Sequence, residues 1–156
     1  IHDAQDNDTY GLGDWQILDS STPGMLSEVK AAFNDERWIV WYGWTPHWMA
    51  PAYDMRILDD PQSVYGPDNG RSDVRTIFNK AFAEANPNLL ALLEQFTLTA
   101  DEQSEFIDGY GRQELPAEQV ARTWLQDHPE RVATFLDGIT TRAGKPALEA
   151  VKASLD

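Results

Sequence analysis

The chain has 156 residues, 42% of them hydrophobic and 11% aromatic, with 26 acidic residues against 12 basic ones for a net charge of −14. That is the size of one ordinary domain with a real core, and so acidic a surface argues against general nucleic-acid binding and against docking on anionic lipid. With no Cys there is no disulfide framework and no thiolate metal site, and no apolar run approaches the roughly 20 residues that span a bilayer.

The sequence opens at Ile1 with neither Met nor a basic, apolar leader, as expected for a processed chain or an excised fragment. Residues 1–13 are polar and rich in Asp, without a clear period. Trp15-Gln16-Ile17-Leu18-Asp19 reads as a short strand. Thr22-Pro23 predicts a helix start, Thr as N-cap and Pro in the first position. Met25, Val29, Ala32 and Phe33 then make one apolar face at i, i+4, i+7 and i+8.

Arg37 to Trp44 is rich in β-branched and aromatic residues and predicts a strand, apolar enough to be buried on both faces. Pro46 and Pro51 stop any regular element after it. Ile57-Leu58 and Val74 to Phe78 read as short extended pieces. From Asn79 onward the signals are helical. Asn86-Pro87 starts a helix with Leu89, Leu92, Leu93 and Phe96 inward. Thr99-Ala100-Asp101-Glu102 is a capping box. Pro116 opens a helix carrying Val120, Ala121, Trp124 and Leu125, which His128-Pro129 breaks. Val132, Phe135 and Leu136 lie on the next helix, and Gly144-Lys145-Pro146 precedes a last one with Leu148, Val151 and Leu155 inward. The picture is an α/β front and a helical back, with Trp15, Trp124 and Phe135 in the core and no obvious linker.

Four of the six tryptophans and one of the three histidines fall between Trp38 and Trp48. Period two places Trp38, Val40, Tyr42 and Trp44 on one strand face. Trp44 ends the strand, where open α/β sheets place their ligands. Gly43 allows close approach to the backbone, and Pro46 restricts the direction of His47. An indole face attracts a cation through its quadrupole, and a quaternary ammonium suits it because its charge is diffuse and its methyl groups are apolar. An imidazole can donate to a carboxylate at the other end of such a ligand. Core packing of the tryptophans, and a local turn bond for His47, compete with this reading.

Gly43-Trp44-Thr45-Pro46-His47-Trp48-Met49, Tyr53-Asp54, Leu58-Asp59-Asp60-Pro61 and Val64-Tyr65-Gly66 resemble the substrate-binding proteins of glycine betaine/choline-type ABC transporters. Tyr10-Gly11-Leu12, Ser20-Ser21, Phe96-Thr97-Leu98 and the Trp124 helix resemble the same family. The resemblance runs from about Tyr10 to the end and matches the C-terminal half of a family member. It implies an α/β fold: one lobe, or a lobe plus hinge parts, of a type II periplasmic-binding-protein fold, with a short central sheet and a helical C-terminal half. Residues 1–156 would form a single partial substrate-binding domain.

The resemblance further implies an exported protein on the periplasmic or outer face of a bacterial membrane. It would close by a hinge on a quaternary ammonium solute and deliver it to an ABC transporter permease. The motif tryptophan, Trp44, implies one wall of an aromatic cage, and the motif histidine, His47, a contact to the ligand carboxylate. Tyr42 and Trp48 flank the motif as further ligand-binding candidates. Glycine betaine is favoured over choline because His47 suits a carboxylate, though carnitine carries one too. With the first half of the family pattern missing, weak or no betaine binding by the isolated chain is expected, and self-association through the surface left by the missing lobe is conceivable.

The rival readings are a small acid–base enzyme pairing His47 with a nearby Asp, and an interaction domain with exposed aromatics. Asp54, Asp59 and Asp60 are close in sequence to His47, yet Asp59-Asp60-Pro61 is turn chemistry. Asp3, Asp6 and Asp8 lack the glycine and closing glutamate of a calcium loop. No phosphate loop, Ser-His-Asp order or zinc spacing occurs, so no catalytic residue, metal or cofactor is nominated.

Overall fold

A computed structural model describes residues 1–155, which divide into two compact units. The first comprises Ile1–Gly43 and Arg56–Asp73; the second comprises Trp44–Met55 and the described residues from Val74 onward.

The first unit contains two helices, α1 (His2–Asp6) and α2 (Thr22–Asn34). The predicted start of α2 is displaced by one residue. Ser21 is the N-cap, accepting from the Gly24 amide at 3.4 Å, and Thr22 already lies in the helix. Of the predicted inner face, Val29 and Ala32 are fully buried while Phe33 is 40% exposed. α1 was not legible, because five polar-rich residues carry too little period to reveal a helix.

The expected strands behave differently from the sequence reading. Among the described residues no strand ladder forms, and the isolated bridge is Thr140 to Pro146. Residues 37–44 form no regular element; Trp38 is 99% exposed, and Val40 and Tyr42 are exposed as well. A strand buried on both faces needs hydrogen-bonded neighbours and covering layers, and the described residues supply neither. Trp15 is exposed too, which corrects its assignment to the core, and Val74 and Ile77 project outward.

The second unit is helical: α3 (Met49–Ala52), α4 (Lys80–Ala85), α5 (Pro87–Gln95), α6 (Ala100–Ile107), a π turn (Asp108–Arg112), α7 (Ala117–Asp127), α8 (Pro129–Phe135) and α9 (Ala147–Leu155). The capping box forms as predicted, with Thr99 Oγ1 accepting from the Glu102 amide at 3.1 Å and Glu102 Oε2 accepting from the Thr99 amide at 2.7 Å. His128 stands at the N-cap position of α8, at the predicted break, with its Nδ1 2.9 Å from the Trp124 carbonyl of α7. Trp124, Val132, Phe135, Ile139 and Ala147 are buried together as the core of this unit. Phe135 packs on Phe96 with ring centres 4.9 Å apart, and Trp124 stacks on His128 at 4.3 Å and donates its indole N–H to Glu105. α3 corrects the expectation that Pro46 and Pro51 stop any regular element after Trp44. Pro51 sits in its first turn, where a missing N–H leaves no helical bond unmade.

Candidate binding site

Three of the four predicted site residues come together in the second unit. The Thr45–Pro46 peptide is cis. The chain turns there and enters α3, so that the Ala50 amide donates to the His47 carbonyl at 3.2 Å and the Ala52 amide to that of Trp48 at 3.1 Å. Met49 is fully buried and anchors the segment. α3 packs against α6 and the π turn.

The His47 imidazole lies against both neighbouring indoles. Its centre is 4.8 Å from that of Trp44 in an edge-on arrangement at 68°, and 5.1 Å from that of Trp48 at 38°. Trp48 in turn lies 6.1 Å from Tyr53, and Gly111 of the π turn leaves room beside its Cδ1. Trp44, His47 and Trp48 are all half-buried. The Trp44 ring is therefore neither sealed in the interior nor splayed into solvent.

Two hydrogen bonds set the direction of His47. Its amide donates to Ser104 Oγ in α6 at 3.1 Å, and its Nδ1 lies 3.1 Å from the Met49 amide. A backbone N–H only donates, so Nδ1 must be the acceptor and the proton of the neutral ring must sit on Nε2. Burial pushes the imidazole below its ordinary pKa, because desolvation disfavours the charged form. At neutral pH the ring is an uncharged donor through Nε2. The carboxylate partner of an acid–base pair is not on Nδ1; the Met49 amide is.

Tyr42, the fourth candidate, belongs to the first unit, where its ring centre lies 5.8 Å from that of Tyr65 at 45°. The loop bearing Tyr65 is built around Asp60, which is 9% exposed. Asp60 accepts from the Tyr10 hydroxyl, from the Val64 amide at 2.9 Å and from the Tyr65 amide at 2.8 Å, while Tyr10 Oη accepts from the Gln62 amide at 3.0 Å. The Tyr10 hydrogen bond, with those of the Tyr65 and Val64 amides, holds this carboxyl below its ordinary range. Tyr10 itself has a positive φ of 68°, unusual for a large side chain and accommodated here by its anchored hydroxyl.

Sequence reasoning took Asp60 for turn chemistry and left Ser104, Tyr53 and Tyr65 without roles. The Asp60 loop is a turn, as Asp-Asp-Pro signals, but its partner Tyr10 is 50 positions away and no local pattern shows it. Ser104 is 57 positions from His47, and a serine inside a helix carries no signal of what it faces.

Residues 4–127 match the family described as the substrate binding domain of ABC-type glycine betaine transport system. The chain is 38% identical over 136 residues to the glycine betaine/carnitine transport binding protein GbuC of Listeria monocytogenes, an alignment covering 83% of this chain and 43% of that protein. Among solved structures, an ABC-transporter choline binding protein in complex with choline superposes with a TM-score of 0.61 at 27% identity, over 100% of this chain and 54% of that one. An ABC-transporter choline binding protein in an unliganded semi-closed conformation gives 0.60 at 30% identity, over 99% and 54%. The chain thus spans about half the length of the relatives it matches. The fold is that of a partial periplasmic-binding-protein domain, mostly helical and with little sheet.

Proposed function

Because the chain belongs to the family of substrate-binding domains of ABC-type glycine betaine transport systems, we propose that it carries part of the binding site for a quaternary ammonium solute with a carboxylate, glycine betaine foremost, destined for an ABC permease. Trp44 offers an indole face to the methylated nitrogen. His47 offers Nε2–H to the carboxylate. Trp48 flanks the imidazole as a further wall, and Tyr42 is a separate ligand-binding candidate within the first unit. The observation that carries this reading is the pairing of Trp44 with an imidazole whose Nδ1 is occupied by the Met49 amide, so that its remaining nitrogen is a donor.

Both ends of a betaine are thereby matched to groups three residues apart. A cation over an indole gains about 0.5–2 kcal/mol, depending on desolvation. These few groups hold a zwitterion weakly, and residues 1–156, which span about half the length of the relatives, carry only part of a full site. Holding a solute makes no bonds, and the chain acts as a carrier without turnover. Its place is the outer face of a bacterial membrane, where a permease collects the solute.

The test is a nuclear magnetic resonance titration of the chain with glycine betaine and with choline, reading the indole and imidazole resonances. Betaine is expected to shift Trp44 and His47 at millimolar concentration. Trp44→Ala should abolish the response to both ligands, and His47→Ala should weaken betaine while sparing choline. Micromolar betaine affinity would overturn the partial-site reading, and choline binding as tightly as betaine would remove the role given to His47.

A further inference from the structure

The geometry points to Ser104 as the positioning residue of this site: its buried hydroxyl fixes the His47 main chain so that the imidazole is held with its proton on Nε2. The inference rests on the donor role proposed for His47 and extends it to a residue on another element.

Ser104 lies within α6 and is 2% exposed. Its hydroxyl donates to the Ala100 carbonyl one turn earlier, at 2.8 Å, which commits its only proton. The oxygen lone pairs are left as acceptors, and the His47 amide donates to them at 3.1 Å. A serine that bonds only to its own helix is commonplace; the second bond, to a residue 57 positions away, distinguishes this one.

The consequence runs along three residues. The His47 amide is tied to Ser104, and the side chain of Met49 is fully buried. Both ends of the His47–Met49 stretch are thus fixed, which brings the Met49 amide to Nδ1. The ring cannot turn Nδ1 outward without giving up that bond. Alanine at position 104 preserves the helix, since Ala is the better helix former, but it leaves the His47 amide without its acceptor and releases one end of the stretch.

Long-range proton–nitrogen spectroscopy of the histidine rings, on the whole chain at about pH 8 where imidazoles are neutral, decides the matter. The wild-type chain is expected to show the Nε2–H form of His47 alone. Ser104→Ala should show both tautomers, and its affinity for glycine betaine should fall about tenfold while that for choline changes less than about twofold. Asn88→Ala removes hydrogen bonds to Thr140 in the same unit and should leave the His47 spectrum unchanged, which separates positioning from general loosening. An unaltered tautomer in Ser104→Ala overturns the inference. If betaine moves neither Trp44 nor His47 in the wild type, the binding reading fails while the tautomer result still judges Ser104. Should Ser104→Ala not fold, hydrogen exchange of the wild-type His47 amide serves instead: protection like that of α6 supports the inference, and exchange at the rate of an open loop overturns it.

Discussion

At His47, burial holds the imidazole below its ordinary value of 6.5, and the direction of that shift fixes a pH dependence. The unfolded chain takes up the proton first, so the contribution of His47 to stability is complete above the ordinary value and is lost as pH falls toward the depressed folded one. The His47 Cε1 proton should accordingly titrate with a midpoint below 6.5, measured by following its chemical shift against pH. Asp60 shows the same sign for a carboxylate. Its folded value lies below the ordinary 3.8, chiefly through the Tyr10 hydroxyl. Its contribution is present above that value and disappears as pH falls through the depressed one. Asp60→Asn should lower the melting temperature at neutral pH, flatten the acid end of the stability curve, and separate the Tyr65 ring from Tyr42. Calorimetry across the acid range and ring-to-ring nuclear Overhauser effects check these outcomes. An asparagine that leaves both unchanged would remove the role of Asp60 as the keystone of its loop.

The α6 helix shows how one side chain serves two levels of structure. Glu102 closes the capping box with Thr99 and also receives Arg131 from α8, at 2.7 Å and 3.2 Å. Arg131 further donates to the Thr97 carbonyl at 2.6 Å and lies 4.8 Å from the centre of the Phe135 ring. Thr99→Ala should therefore cost about 1 kcal/mol, the usual worth of an N-cap. Glu102→Ala should cost more, because it removes the carboxylate's half of the capping box and leaves a guanidinium on an aromatic face without its carboxylate. Urea denaturation of the two variants compares them. At the π turn, a Cβ on Gly109 would sit 2.9 Å from Val120 Cγ1. Gly109→Ala should then destabilise the chain by about 1–3 kcal/mol through overpacking, read by the same method. These elements also show what the sequence made legible. Capping chemistry and helical period are local, so the Thr99 box, the His128-Pro129 break and the Trp124 face were all read from residues within one or two turns. The expected strands were misjudged because β-branched and aromatic content reports what a strand prefers, not whether a neighbour exists to pair with it. The aromatic cluster was found because its members are adjacent in sequence; Ser104 and the Tyr10–Asp60 knot escaped because their partners are distant.

For the whole molecule, apolar side chains exposed in segments without regular structure are the notable liability. Trp38, Val74 and Ile77 are 99%, 89% and 91% exposed, and uncovered apolar side chains of this kind invite association with another chain. The net charge of −14 opposes association, and salt screens that opposition. We expect sedimentation to show monomers in dilute, low-salt buffer and larger species as ionic strength and concentration rise, with Trp38→Lys displaced toward monomer. A monomer under all conditions would remove this expectation. The units also interleave along the chain: Trp44–Met55 belongs with the residues after Val74, although stretches of the first unit flank it on either side. During synthesis His47 is therefore added to the chain 57 positions before Ser104. At roughly 5–20 residues per second that interval lasts several seconds. Through it the aromatic cluster waits unsupported in the nascent chain, and a truncated product ending before α6 would carry the tryptophans and the histidine without the framework that orients them.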